Sequence, residues 1–214
     1  IPLVGGTGDG GKVSVNGTVY EDADVYAFVK NNGGKVAVYK ENLYKPMPGY
    51  RFIASNTDRS RYYVGELNGR SSKQAYMDAL HISESNIINQ TFHNPLGKMN
   101  GQDICIISLK EISGNGLCCY RQVNDSDVLV LLEEQDYNKI LDETLQRIRR
   151  DFNHISGVFS INCVFRYLLF SQEHHMEDYL KTMSTLGDHA GLIGFGEHYN
   201  QQFVNQTMTC VVFE

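Results

Sequence analysis

The chain has 214 residues, 42% of them hydrophobic and 21% charged, and a formal net charge of −6. Those proportions allow a packed core in one large domain or two small ones and argue against disorder. The negative balance argues against non-specific binding to nucleic acid or to an anionic membrane.

The first seventy residues read as short strands separated by turns. Residues 1–4 are apolar and run into the glycine-rich GGTGDGG. Residues 12–15 and 18–20 flank Asn16-Gly17, a two-residue hairpin signal. Residues 25–30 and 35–39 flank a second turn, Asn31-Asn32-Gly33-Gly34. Pro46 and Pro48 then break the pattern, and residues 50–54 and 62–67 resume it. Such a meander wants one buried and one wet face.

Ser71 or Ser72 can cap a helix that carries Ala75, Tyr76, Ala79 and Leu80 on one side. A second short helix is expected over 85–91, followed by strands over 103–109, 116–121 and 127–132. The clearest helix runs over 135–152, where Tyr137, Ile140, Leu141, Leu145, Ile148 and Phe152 recur at 3-4 spacing. Arg147, Arg149 and Arg150 gather near its end, where cations suit the helix dipole. A strand over 157–163 passes through a transition, 164–170, to a helix that Ser171 can cap. Met176, Tyr179, Leu180, Met183 and Leu186 face inward on it, and Gly187 ends it. Residues 190–196 and 208–213 read as closing strands. The expected class is α+β, with mixed, mainly antiparallel β-sheets flanked by helices.

No apolar run reaches the roughly 18 residues that a spanning helix needs; the longest candidate, 158–170, is interrupted by Asn162 and Arg166. No signal-peptide pattern opens the chain. A start at Ile1 inside a strand-like run suggests a piece of a longer protein. The cysteines are Cys105, Cys118, Cys119, Cys163 and Cys210, with no CxxC pair and mostly within apolar runs. That usage suits a reduced, cytoplasmic setting and gives no zinc-ligand spacing.

The stretch GLIGFGEHYN…FVNQTMTCVVF resembles the closing signature of FIST C domains through Gly194, Phe195, Gly196, Glu197, Asn205, Gln206 and Thr207. The family often has two residues between Phe and Gly-Glu; here there are none. INCVFRYLLF resembles the family's strand-Cys-x-x-Arg segment through Cys163 and Arg166. GELNGRSSKQAYMDAL resembles the entry to the C domain, and IPLVGGTGDGG a turn inside FIST N domains. The resemblance implies the second half of a FIST N domain over 1–70 and a FIST C domain over 71–214. It also implies a cytoplasmic, non-catalytic sensor of a small polar ligand, with amino acids or their derivatives suggested. Its output would pass to a signalling protein such as a histidine kinase, in cis or in trans. No metal or cofactor is assigned, although some members are thought to bind haem and respond to nitric oxide.

The residues themselves add chemistry. Arg166 follows an apolar strand, so its guanidinium must be paired or must meet a ligand anion. Arginine grips a carboxylate in a planar, bidentate way. Glu197 can hold a ligand ammonium or pair with Arg166. Asn205, Gln206 and Thr207 follow a variable loop and offer donors and acceptors, or serve the turn itself. Cys163 raises a thiol-enzyme alternative, since Arg166 three residues on can lower its pKa, yet no His lies close in sequence. A buried structural thiol is the simpler reading. GGTGDGG lacks the following helix and the Gly-Lys-Ser/Thr of a phosphate loop, so a tight turn is expected. His174 and His175 are adjacent on a helix start and cannot grip one metal together; His198, beside Glu197, is the nearest thing to a haem ligand.

Overall fold

The computed structural model describes residues 1–101 and 103–214, arranged as two compact units: 1–43 with 136–214, and 44–135. The fold class is α+β, and mainly antiparallel sheets carry the helices.

The N-terminal segment holds β1 (Val4–Gly6), β2 (Lys12–Val15), β3 (Thr18–Glu21) and β4 (Val36–Asn42). GGTGDGG is a tight turn, with Gly10 and Gly11 at φ 62° and 69°, and a strand follows it. Asn16 and Gly17 both take positive φ, the geometry that matches the twist of the β2–β3 hairpin. Residues 25–30 form no strand despite their pattern.

The unit 44–135 contains β5 (Tyr44–Asp58), β6 (Tyr63–Leu67), β7 (Arg70–Ser71), α1 (Ser72–Leu80), α2 (Ile87–Gln90), β8 (Leu96–Asn100), β9 (Asp103–Ile107), β10 (Leu109–Ser113), β11 (Gly116–Cys119) and β12 (Val128–Glu134). Its sheet runs β10-β11-β6-β5-β12-β8-β9, with β7 added to β6. Pro46 and Pro48 do not end a strand: they lie within β5, where the register against β12 shifts between Val130 and Leu132. A bulge is where a strand tolerates residues without an N–H donor. Ser71 caps α1 by accepting from the Gln74 amide. Ala75, Tyr76 and Ala79 bury against Val64, Leu67, Leu109 and Leu117.

The remainder of the first unit contains α3 (Tyr137–Asp151), β13 (Gly157–Cys163), α4 (Val164–Gln172), α5 (Met176–Ser184), β14 (Asp188–Gly194), β15 (Glu197–Tyr199), β16 (Gln202–Val204) and β17 (Thr207–Phe213). Its sheet runs β14-β13-β17-β4, with β13 and β14 parallel and the other pairs antiparallel. Strand β4 therefore pairs with the last strand rather than with its neighbours in sequence. The parallel pair needs a crossover, and α4 with α5 supplies it. The expected transition over 164–170 is thus the body of α4, and Ser171 lies inside that helix rather than capping the next. The expected variable loop is the β15–β16 hairpin, which joins β1 in a second, three-stranded sheet.

Alternation along β13 sends Val158, Ser160 and Asn162 to one face and Phe159, Ile161 and Cys163 to the other. Register carries the first face across the sheet, so Asn162, Met208 and Glu41 form one row. Helices α3, α4 and α5 pack on this unit's sheet through Leu141, Leu145, Ile148, Leu169, Phe170, Tyr179 and Met183, all buried. The small sheet covers the other face, bringing Gly6 against Ile161.

Candidate functional site

Two buried polar clusters adjoin at the end of the β14-β13-β17-β4 sheet. The first centres on Arg166, buried in the first turn of α4. Its Nη2 donates to Glu41 Oε1, and Glu41 is buried too. The pair joins the strand β4 to the helix α4. The guanidinium lies 4.6 Å from the ring centroid of Phe170, its i+4 neighbour, and 5.4 Å from that of Tyr179. Tyr179 accepts from Asn162 Nδ2 at 2.9 Å, and Ser160 Oγ meets His189 Nε2 at 2.8 Å. His175 stacks edge-on to Phe170 at 4.8 Å, and burial lowers its pKa. Among the described residues, five buried side-chain atoms here have no hydrogen-bond partner: Arg166 Nε and Nη1, Glu41 Oε2, Asn162 Oδ1 and His175 Nε2.

The second cluster lies between the two sheets of this unit. Glu197 opens β15 and is fully buried. Its Oε2 accepts from the Thr207 amide at 3.3 Å and the Thr207 hydroxyl at 2.7 Å. The Cys163 thiol donates to the same carboxyl. Burial outweighs these bonds and pushes the Glu197 pKa up to about 7. Burial first, then the neighbouring Glu197 charge, push the Cys163 thiol up to about 12, although backbone bonds from Phe165 and Gln206 pull the other way. Gln206 holds φ 54°, an uncommon conformation for a residue with a Cβ, as it turns the chain into β17. Gly196, at φ 121°, admits no side chain, since a Cβ there would fall 2.6 Å from Phe203.

Of the sequence-predicted residues, Cys163, Glu197, Gln206 and Thr207 come together, with Asn205 beside Gly196. Arg166 makes no ion pair with Glu197, although its charge pulls the Glu197 pKa down against burial. Its ion pair is with Glu41, not with Glu197, because Glu41 occupies the sheet row beneath α4, whereas Thr207 holds Glu197 through Oε2 and Glu197 Oε1 has no hydrogen-bond partner among the described residues. His175 is buried, whereas His198 is exposed on β15 with its ring 5.1 Å from Phe203. Glu41 was missed from sequence. Its signal was present: Ala37, Tyr39 and Glu41 share one face of β4, so a carboxylate falls at an inward position. Asn162 carried a weaker signal, as a polar group inside an apolar run.

Beside the Arg166–Glu41 pair, a cleft of about 660 Å³ runs between β4 and α3. Lys40, Glu41, Thr144, Arg147 and Arg150 line it. Arg147 Nη2 donates to the Lys40 carbonyl at 3.2 Å across its mouth. Among the described residues, no cluster of three or more His, Cys, Asp or Glu has metal-binding geometry, and no helix is long and apolar enough to cross a membrane.

Comparison with known proteins gives one family. The model of the FIST C domain matches residues 73–200. No curated protein and no solved structure matches the chain.

Proposed function

Since this chain belongs to the FIST C domain family, a family of signal-transduction sensory domains, we propose that residues 1–43 and 136–214 form a receptor for a small polar ligand anchored at Arg166. The observation that carries this reading is the set of unmet polar atoms around a buried guanidinium. Arg166 presents Nε and Nη1, and Glu41 Oε2, Asn162 Oδ1 and His175 Nε2 stand unpartnered in the same layer. Each unmet buried group costs about 1–3 kcal/mol, which a ligand recovers by bonding it. Nε and Nη1 lie on different edges of the guanidinium, so a carboxylate bonds either one singly or grips the fork by taking Nη2 from Glu41, and an ammonium or hydroxyl suits the two acceptor oxygens. An amino acid or a derivative has both. The cleft between β4 and α3 offers an approach, and Arg147 and Arg150 bring positive charge to its lining beside Glu143.

Glu197, Cys163, Asn205, Gln206 and Thr207 complete the receptor in this proposal, as the buried cluster on the opposite face of the sheet that holds its strands in register. Signalling follows if the ligand competes with Glu41 for Arg166, because that pair ties the N-terminal strand β4 to α4. The recipient is a signalling protein such as a histidine kinase, in cis or in trans, and the setting is the cytoplasm. Residues 1–70 are assigned to the second half of a FIST N domain on their glycine-rich turn, and 71–214 to the C domain. The role is binding, not catalysis: a thiol pushed up to about 12 holds almost no thiolate at neutral pH.

The test is thermal stabilisation by a panel of amino acids and small carboxylates. A ligand at a hundred times its Kd stabilises by about 2.7 kcal/mol. The double variant Arg166→Met with Glu41→Gln keeps volume while removing both buried charges. It should retain the circular dichroism of the wild type and lose the ligand response. An equal response in wild type and variant removes Arg166 from the site.

A further inference from the structure

Residues 25–29, Val-Tyr-Ala-Phe-Val, carry the composition of a strand and form none. Tyr26, Phe28 and Val29 are 79%, 82% and 71% exposed. The ring contact between Tyr26 and Phe28, at 5.4 Å, lies within the segment itself. Strand propensity is here left without a sheet.

The same unit has a sheet edge without a strand. Among the described residues, strand β14 pairs with β13 on one side and with no strand on the other. Its register with β13 runs unbroken from Asp188 to Gly194. Natural edges are blunted by proline, lysine or bulges. Along Ala190, Gly191, Leu192, Ile193 and Gly194 there is none of these, and Leu192 and Ile193 are 45% and 43% exposed. The opposite edge, β4, is partly closed, since Arg147 donates to its Lys40 carbonyl.

We propose that this chain forms a homodimer by strand addition, residues 24–30 of each copy pairing antiparallel with β14 of the other. Seven residues meet seven. With Val25 opposite Ile193, Phe28 falls opposite Ala190 and Lys30 opposite Asp188, an opposite-charge pair. The parallel alignment sets Asp24 against Asp188, a like-charge pair. Lys30 cannot reach Asp188 of its own chain. Asn31 donates to the Lys35 and Glu214 carbonyls at the β4–β17 end, which holds Lys30 there. Strand β14 is two places from β17 in the sheet, about 10 Å, against about 3.8 Å between consecutive Cα atoms. Two reciprocal ladders close the assembly with twofold symmetry.

Sedimentation velocity over a range of concentrations tests this, with Ile193→Lys and Phe28→Asp as exposed, separately placed variants. The wild type should be dimeric, and each variant should raise the dissociation constant by at least about tenfold. A monomer at every concentration overturns the proposal, as does a dimer that both variants leave intact. Pairing is then read by disulfide trapping in a Cys105→Ser background. Phe28→Cys and Ala190→Cys chains, mixed under mild oxidation, should cross-link to each other more than to themselves. A doubly substituted chain that closes its own disulfide as a monomer overturns exchange between copies.

Discussion

Replacing Glu197 by Gln isolates the cost of a buried carboxyl. Burial raises its pKa from 4.5 to about 7, against the pull of Thr207 and Cys163. The folded state therefore holds the proton more tightly than the unfolded chain. Below the unfolded value both states are protonated and there is no penalty. As pH rises from 4.5 towards 7 the unfolded chain ionises first, so stability falls; beyond the folded value both are ionised and the loss is constant. The full loss is about 3 kcal/mol, at 1.36 kcal/mol per pKa unit, and about 2.5 kcal/mol of it falls between pH 5 and pH 8. Gln keeps an oxygen for the two Thr207 donors and cannot ionise. Urea unfolding of both proteins at pH 5 and pH 8 gives the comparison. The variant should gain about 2.5 kcal/mol on the wild type across that interval. Parallel pH dependences would refute the reasoning, because they would mean that Glu197 meets water or a counter-charge in the folded protein.

Three further outcomes follow from the same geometry. Arg166→Ala leaves the Glu41 carboxylate buried and unpaired, so it should cost about 3–5 kcal/mol, while the double variant with Glu41→Gln costs less than the sum of the singles; a double-mutant cycle by chemical denaturation measures the coupling. Iodoacetamide at mildly acidic pH should leave Cys163 unlabelled in the folded protein while half-buried Cys105 reacts first; peptide mapping that finds Cys163 fully alkylated would restore the thiol-enzyme alternative. Asp136 accepts from the Lys139 amide at 3.1 Å and caps α3, so Asp136→Ala should destabilise by about 1 kcal/mol in thermal unfolding.

Periodicity carried the fold where one face of an element is wet. Helix α3 was legible because Leu141, Leu145 and Ile148 alternate with charged residues, and the β2–β3 hairpin because Asn16-Gly17 fixes its turn. Helix α4 was not. Its sequence, VFRYLLFSQ, is apolar nearly all round, and a short apolar run reads equally as strand. The prolines of β5 misled for a related reason, since sequence does not show that the partner strand shifts register opposite them. Pairing of β4 with β17 spans most of the chain, and local pattern does not encode it.

The candidate site divides along the same line. Glu197, Gln206 and Thr207 lie within ten positions of one another, close enough for a motif to hold them. Cys163 and Arg166 lie in a second motif, at the junction of β13 and α4. Glu41 is in neither. It stands 125 positions from Arg166 and reaches it only because β17 pairs with both β13 and β4, which puts Asn162, Met208 and Glu41 in one row. A buried guanidinium announces from sequence that a partner must exist, because an unpaired charge in a core is too costly to keep. Which carboxylate answers is a property of the sheet order. That order also leaves Arg166 Nε and Nη1 unmet, because one carboxylate oxygen in the row reaches Nη2 and the ring faces of Phe170 and Tyr179 supply no acceptor oxygen. Phe170→Leu would remove the nearer ring without touching the ion pair. If the rings shield the guanidinium from water, that variant should weaken ligand-induced stabilisation while the Arg166–Glu41 coupling persists in a double-mutant cycle; loss of both together would place the role of Phe170 in the fold alone.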